Sequence, residues 1–172
     1  MANLEQVSRV SPEISASIVQ ELADQRSYLK LIASENYSSL SSQQAMSNLL
    51  TDKYAEGYPD SRFYNGCKYM DEIETLAIER AKKLFGAEHA NVQPHAGVQA
   101  NMAAYFALLE PGDTILSMKI DHGGHLSHGI AHNASGTFYN PVFYGVDRKT
   151  EMIDLNVVSE LSQKHRPKLI LV

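Results

Sequence analysis

Gly97-Val-Gln-Ala-Asn-Met-Ala-Ala-Tyr-Phe-Ala-Leu-Leu-Glu-Pro-Gly-Asp-Thr-Ile-Leu-Ser-Met118 holds one helix, one turn and one strand in succession. Gly97 opens a helix to about Leu109 that is apolar nearly all round, the composition of a buried helix. Pro111-Gly112-Asp113 supplies turn residues, and Thr114 to Met118 reads as a strand. Upstream, Ala90-Asn91-Val92 reads as a short strand. Before it, Ile73, Leu76, Ala77, Ala81 and Leu84 fall at helical spacing from Met70 until Gly86 ends the run. Downstream come a loop with a short helix (Gly123 to Asn133), a strand (Val142 to Val146), a helix (Leu155 to His165) and an apolar strand (Lys168 to Val172). Strands alternating with helices predict an α/β fold with a parallel sheet covered on both faces. Leu169-Ile170-Leu171-Val172 has the character of a central strand, and no turn follows it. The sheet therefore reads as incomplete and the chain as a fragment, poorly soluble through its open apolar edge.

Working towards the N-terminus, Ser11-Pro12-Glu13 is a helix start: a capping hydroxyl, a first-turn proline and an acid at the positive helix end. Ile14, Ile18 and Leu22 continue it as one stripe to about Lys30, and a second short helix runs from Ser42 to about Leu50. From Tyr54 to Gly66 the period vanishes. Glycine, proline, asparagine and the rings of Tyr54, Tyr58, Phe63 and Tyr64 make a loop too aromatic for a linker. Residues 1–50 read as an N-terminal helical arm, and 51–172 as the first part of a larger domain, truncated at its C-terminal end.

Of the 172 residues, 44% are hydrophobic and 20% charged, ordinary for a globular protein. A net charge of -5 and a pI near 5.8 leave no basic block for nucleic acid. No apolar run reaches the roughly 18 residues of a membrane span, and the N-terminus lacks the apolar core of a signal peptide. The single cysteine, Cys67, excludes an internal disulfide. These features fit a reducing cytoplasm.

Four segments carry polar chemistry. In Asn91-Val-Gln-Pro-His-Ala-Gly-Val-Gln-Ala-Asn101 a glycine turn leads into a helix whose first amides lack intrahelical acceptors. That is an anion cup, or else a tight connection with no ligand. Asp121-His-Gly-Gly-His-Leu-Ser-His-Gly129 spaces three histidines by three. Residues six apart on a helix differ by about 120° in direction, so His122 and His128 would not share one metal ion. The remaining readings are a polar loop, or a ring that stacks on a planar ligand while glycines admit it to the backbone. The aromatic loop around Glu56 suits proton transfer, or packing and dimerisation. Leu31-Ile-Ala-Ser-Glu-Asn36 places polar groups after an apolar run, as a helix end also does.

The order and wording of these segments resemble one family. LIASEN, KYAEGYP, FYNGC (for the family's YYGGC), ETLAIERAKKLFGAEHANVQPH, QANMA.YFALLEPGDTIL and HGGHLSHG are similar to serine hydroxymethyltransferase from about residue 12 onward. The resemblance implies the N-terminal portion of a fold-type I pyridoxal-phosphate-dependent transferase, with an aspartate-aminotransferase-like large domain. It implies reversible hydroxymethyl transfer from serine to tetrahydrofolate, giving glycine and 5,10-methylenetetrahydrofolate, in a homodimer or tetramer.

By the same resemblance Ser34 would bind the substrate carboxylate, Glu56 would be the acid-base residue near the serine hydroxyl, and Tyr64 would assist. Tyr54 would bond the cofactor phosphate, and Tyr54, Glu56 and Tyr64 would reach into the partner's active site. The turn Ala96, Gly97 and Val98 would hold the phosphate, and His125 would stack on the pyridine ring. Ile120, Gly124, His125 and Leu126 would line the folate site.

Ala96 stands where the family usually has serine, a loss of one charge-assisted hydrogen bond worth about 1.5–3 kcal/mol. Val98 replaces a small residue, and Phe63 and Asn65 replace a tyrosine and a glycine. None of Lys30, Lys53, Lys68, Lys82, Lys83, Lys119, Lys149, Lys164 and Lys168 lies in the threonine-rich motif that carries the family's cofactor-binding lysine. The chain alone is therefore expected to be inactive. The competing expectation is a truncated, non-catalytic paralogue that binds full-length subunits; a threonine aldolase of the same fold is disfavoured by the folate-linked motifs.

Overall fold

The computed structural model describes residues 4–172, in two units, Met1–Arg80 and Ala81–Val172. The first begins with α1 (Glu5–Val10) and α2 (Pro12–Ser27). Pro12 fits the first turn of α2, where its missing N–H is not needed. Ser11 stands at the N-cap, but its hydroxyl bonds the Glu13 carboxylate instead of a backbone amide, a correction to the expected cap. The α1–α2 corner is held by the hydroxyls of Ser8 and buried Ser15, 2.6 Å apart.

α3 (Leu40–Met46) starts two residues before the expected position, because Ser39 accepts from the Ser42 amide and caps it there. Asn48 then caps a separate one-turn helix, Leu49–Asp52. The aromatic loop contains a two-residue hairpin, β1 (Gly57–Tyr58) with antiparallel β2 (Ser61–Arg62). Gly57 has φ +103°, and a Cβ there would lie 2.4 Å from the Ser61 carbonyl oxygen. α4 (Lys68–Phe85) follows and ends at left-handed Gly86, as its apolar spacing predicts. The division between the units falls inside this helix.

The second unit contains α5 (Gly97–Leu108), β3 (Thr114–Met118), α6 (Ala134–Phe138), β4 (Asn140–Tyr144), α7 (Leu155–His165) and β5 (Leu169–Ile170). Both strand pairs are parallel, in the order β4-β3-β5, with Leu116 opposite Val142 on one side and Ile170 on the other. The expected α/β character and parallel pairing are therefore present, in an incomplete sheet. Ile115, Leu116 and Ser117 of β3 are fully buried, and Tyr105, Leu109 and Tyr139 close the core over Ile115.

Four further expectations are corrected. Residues 90–92 form no strand: the Asn91 side chain accepts from the Gln93 amide, a local turn that competes with pairing. α5 is not buried all round. Tyr105 and Met102 meet the core, whereas Phe106 and Leu108 are more than 60% exposed. β3, not the last strand, is central; β5 lies at the edge and leaves Ile170 exposed. The short helix expected within 123–133 forms instead at α6, where Asn133 accepts from the Ser135 amide.

Candidate functional site

In the first unit the loop 53–67 is organised by its own side chains. Cys67 is buried, its thiol 3.4 Å from the Tyr64 carbonyl oxygen and 3.6 Å from that of Tyr54. The Tyr54 and Tyr64 rings meet edge to face, centroids 5.6 Å apart. Lys53 Nζ donates to the Asn65 carbonyl at 2.7 Å.

Arg62 does more. Its Nη1 donates to the carbonyls of Ala55 (2.8 Å) and Gly57 (3.0 Å), and the Phe63 amide donates to the Glu56 carbonyl at 3.1 Å. Three consecutive carbonyls centred on Glu56 are thus fixed. The other edge of the guanidinium meets Asp71 (2.7 Å) and Glu74 (2.6 Å) on α4. Hydrogen bonds to Glu74 and then Asp71 raise its pKa further above the ordinary arginine value. The chemistry-bearing side chains remain outside this framework: Tyr54, Glu56 and Tyr64 are exposed. Ser34 lies elsewhere, exposed in a turn closed by the Glu35 amide on the Ile32 carbonyl.

In the second unit, the loop leaving the C-terminal end of β3 holds the remaining candidates. Such a position is where ligands collect in open parallel sheets. Ile120 and Leu126 are about half exposed. The Gly124 amide is already given to the Lys119 carbonyl (2.8 Å), and a Cβ there would lie 2.1 Å from the Met118 carbonyl oxygen. Packing of the loop alone therefore requires glycine at this position.

The three histidines take separate protein partners. His122 Nδ1 accepts from the Val146 amide (2.9 Å), with its ring against Gly145. His125 Nδ1 faces the Ser127 hydroxyl (2.8 Å) and amide (3.1 Å). His128 is partly buried, and burial followed by the nearby His125 lowers its pKa. Among the described residues no three His, Cys, Asp or Glu side chains gather into a metal-holding group, and no helix is long and apolar enough to cross a membrane.

At the start of α5, Ala96 occupies the N-cap with extended backbone and supplies no capping side chain. The amides of Gln99 and Ala100 return to its carbonyl. Those of Gly97 and Val98 precede the helical ladder and point along the positive end of the dipole. A Cβ on Gly97 would meet nothing within 4 Å, so the space on the Cβ side of this residue is open. The arrangement fits an anionic group.

Sequence reading did not single out Arg62, Asn101, Tyr105 or Ser127. For Arg62 a signal existed, since Asp71 and Glu74 lie three apart on one helix face. For Ser127 there was none: its partners Asn101 and Tyr105 are 26 and 22 residues away. A family model described as Serine hydroxymethyltransferase matches residues 7–172. The chain belongs to that family.

Proposed function

We propose that this member of the serine hydroxymethyltransferase family carries part of the machinery for moving a hydroxymethyl group between serine and tetrahydrofolate, yielding glycine and 5,10-methylenetetrahydrofolate. The observation that carries this reading is the loop 53–67: its backbone is tied at every turn while Tyr54, Glu56 and Tyr64 stay exposed. A preformed loop with outward polar groups suits donation to a site outside itself, with little ordering cost on docking. The partner is a second subunit, in a homodimer or a tetramer, within a reducing cytoplasm.

Pyridoxal phosphate, when bound, supplies the electron sink at the amino acid's α-carbon. The chain's own residues hold and orient. The amides of Gly97 and Val98 in the Ala96 turn would hold the phosphate, joined by the Tyr54 hydroxyl of a neighbouring subunit. His125 would cover the pyridine ring. Ser34 binds the substrate carboxylate. Glu56 moves the proton at the serine hydroxyl, with Tyr64 beside it. Ile120, Gly124 and Leu126 would line the folate site; the Gly124 N–H, engaged by the Lys119 carbonyl, is not available there as a donor.

Covalent attachment of the cofactor needs a lysine, and none of this chain's nine lies in the family's motif for it. On this reading, residues 1–172 by themselves are expected not to turn over serine. Subunit complementation tests the reading. A full-length family enzyme whose own loop glutamate is changed to glutamine is mixed with this chain. Recovered methylenetetrahydrofolate formation, absent with Glu56→Gln, supports donation of Glu56 across the interface. Mixed dimers without activity favour the second reading, a non-catalytic partner subunit. Turnover by the unmixed chain would overturn the proposal.

A further inference from the structure

We infer that Asn101 and Ser127 are positioning residues that hold the His125 ring in one orientation and one tautomer, through a directed chain of hydrogen bonds starting on α5. The direction follows from what each atom can give. The Ser127 backbone N–H can only donate, so His125 Nδ1, 3.1 Å away, is an acceptor. The amide nitrogen of Asn101 also can only donate, and it lies 2.7 Å from Ser127 Oγ. Ser127 Oγ thus receives from Asn101 and passes its own proton to His125 Nδ1 at 2.8 Å. With Nδ1 accepting twice, the neutral ring carries its proton on Nε2.

The surroundings enforce this order. Ser127 is fully buried, so no water competes for its hydroxyl. Its carbonyl takes the Tyr105 hydroxyl at 2.9 Å, fixing residue 127 to the same helix one turn on. His128 Nε2 lies 3.5 Å from the Asn101 amide nitrogen. His128 is itself held at its back, where the Ser117 hydroxyl donates to its carbonyl at 2.6 Å. With the Ser127 proton committed to His125 Nδ1, Ser127 Oγ can only accept from Asn101, which sets the orientation of that amide. The helix whose first turn would take the cofactor phosphate is therefore linked, through Ser127, to the ring that would cover the cofactor. The geometry of one follows the other.

This inference rests on the reading of His125 as the stacking ring, and the experiment separates the two. Multiple-bond nitrogen–proton spectra of the histidine-labelled chain, taken well above the histidine titration range, report the tautomer directly. The expected result is an Nε2–H ring with a strongly hydrogen-bonded Nδ1. Ser127→Ala and Asn101→Asp each shift the His125 Nδ1 signal towards the free acceptor value, the second because a carboxylate draws the Ser127 proton away. Ser127→Thr keeps the wild-type signal. An Nδ1–H ring in the wild type, or His125 signals unmoved in both Ser127→Ala and Asn101→Asp while the backbone amide spectrum stays folded, would overturn the relay. Pyridoxal phosphate is then added to the wild type: ring-current shifts at His125 support the stacking role, and their absence sinks that role while leaving the relay established.

Discussion

Arg62 Nη2 lies 2.6 Å from Glu74 Oε2, and this contact fastens an irregular loop to the side of α4. The Arg62 side chain is only 5% exposed, and its other donors are taken by Asp71 and by the carbonyls flanking Glu56. A planar fork can bridge two carboxylates and two carbonyls at once, which a lysine ammonium cannot.

Arg62→Ala is therefore expected to raise amide exchange across 55–64 by about tenfold or more, since local opening no longer breaks the clamp. Exchange in α7 stays unchanged. Arg62→Lys recovers only part of the protection. Hydrogen exchange read by mass spectrometry checks this, and equal protection in all three proteins would show that the clamp contributes nothing.

Ala96 sits at the N-cap of α5 with φ -150° and ψ 149°, backbone angles that suit a capping serine. Ala96→Ser is expected to stabilise the second unit by about 0.5–2 kcal/mol, because a hydroxyl oxygen there accepts an orphan amide. Urea unfolding followed by circular dichroism measures the gain. The same hydroxyl adds a donor for an anion, so phosphate should protect Ala96→Ser more than the parent chain.

His128 gives stability a pH dependence near neutrality. Burial, then His125, depresses its pKa in the fold below the ordinary value of 6.5. The unfolded chain therefore takes up the proton first, and stability present above 6.5 is lost as pH falls through the depressed value. His128→Gln should flatten that part of the profile. Asp113, whose carboxyl is held low by the Lys168 ammonium and the Glu110 amide, acts in a separate window. Its contribution is lost only as pH falls below the carboxylate range. Thermal melts from neutral pH to mild acid distinguish them: a slope unchanged in His128→Gln would assign it to another group.

Much of the local structure could be read without coordinates. Thr114–Met118 and Leu155–His165 form with the predicted bounds, and Gly86 ends α4 in the left-handed conformation. These features depend on side-chain period, turn residues and caps a few positions away. The misplaced ones depended on what stood opposite. Residues 90–92 found no strand to pair with, and α5 found a partner for one face only. Periodicity reports how apolar a segment is, not how many neighbours it meets.

The same boundary divides the candidate site. Sequence by itself pointed to the family, through motifs between Leu31 and Gly129, and with it to the residues that resemble a catalytic set; the family model matches residues 7–172. Only the tertiary structure decided what holds those residues. Arg62 reaches back to Ala55 and forward to Glu74, and Ser127 joins Asn101 to His125 across 26 residues of chain. Hydrogen bonds of that span depend on where the folded backbone places each donor, a property no local window of sequence contains.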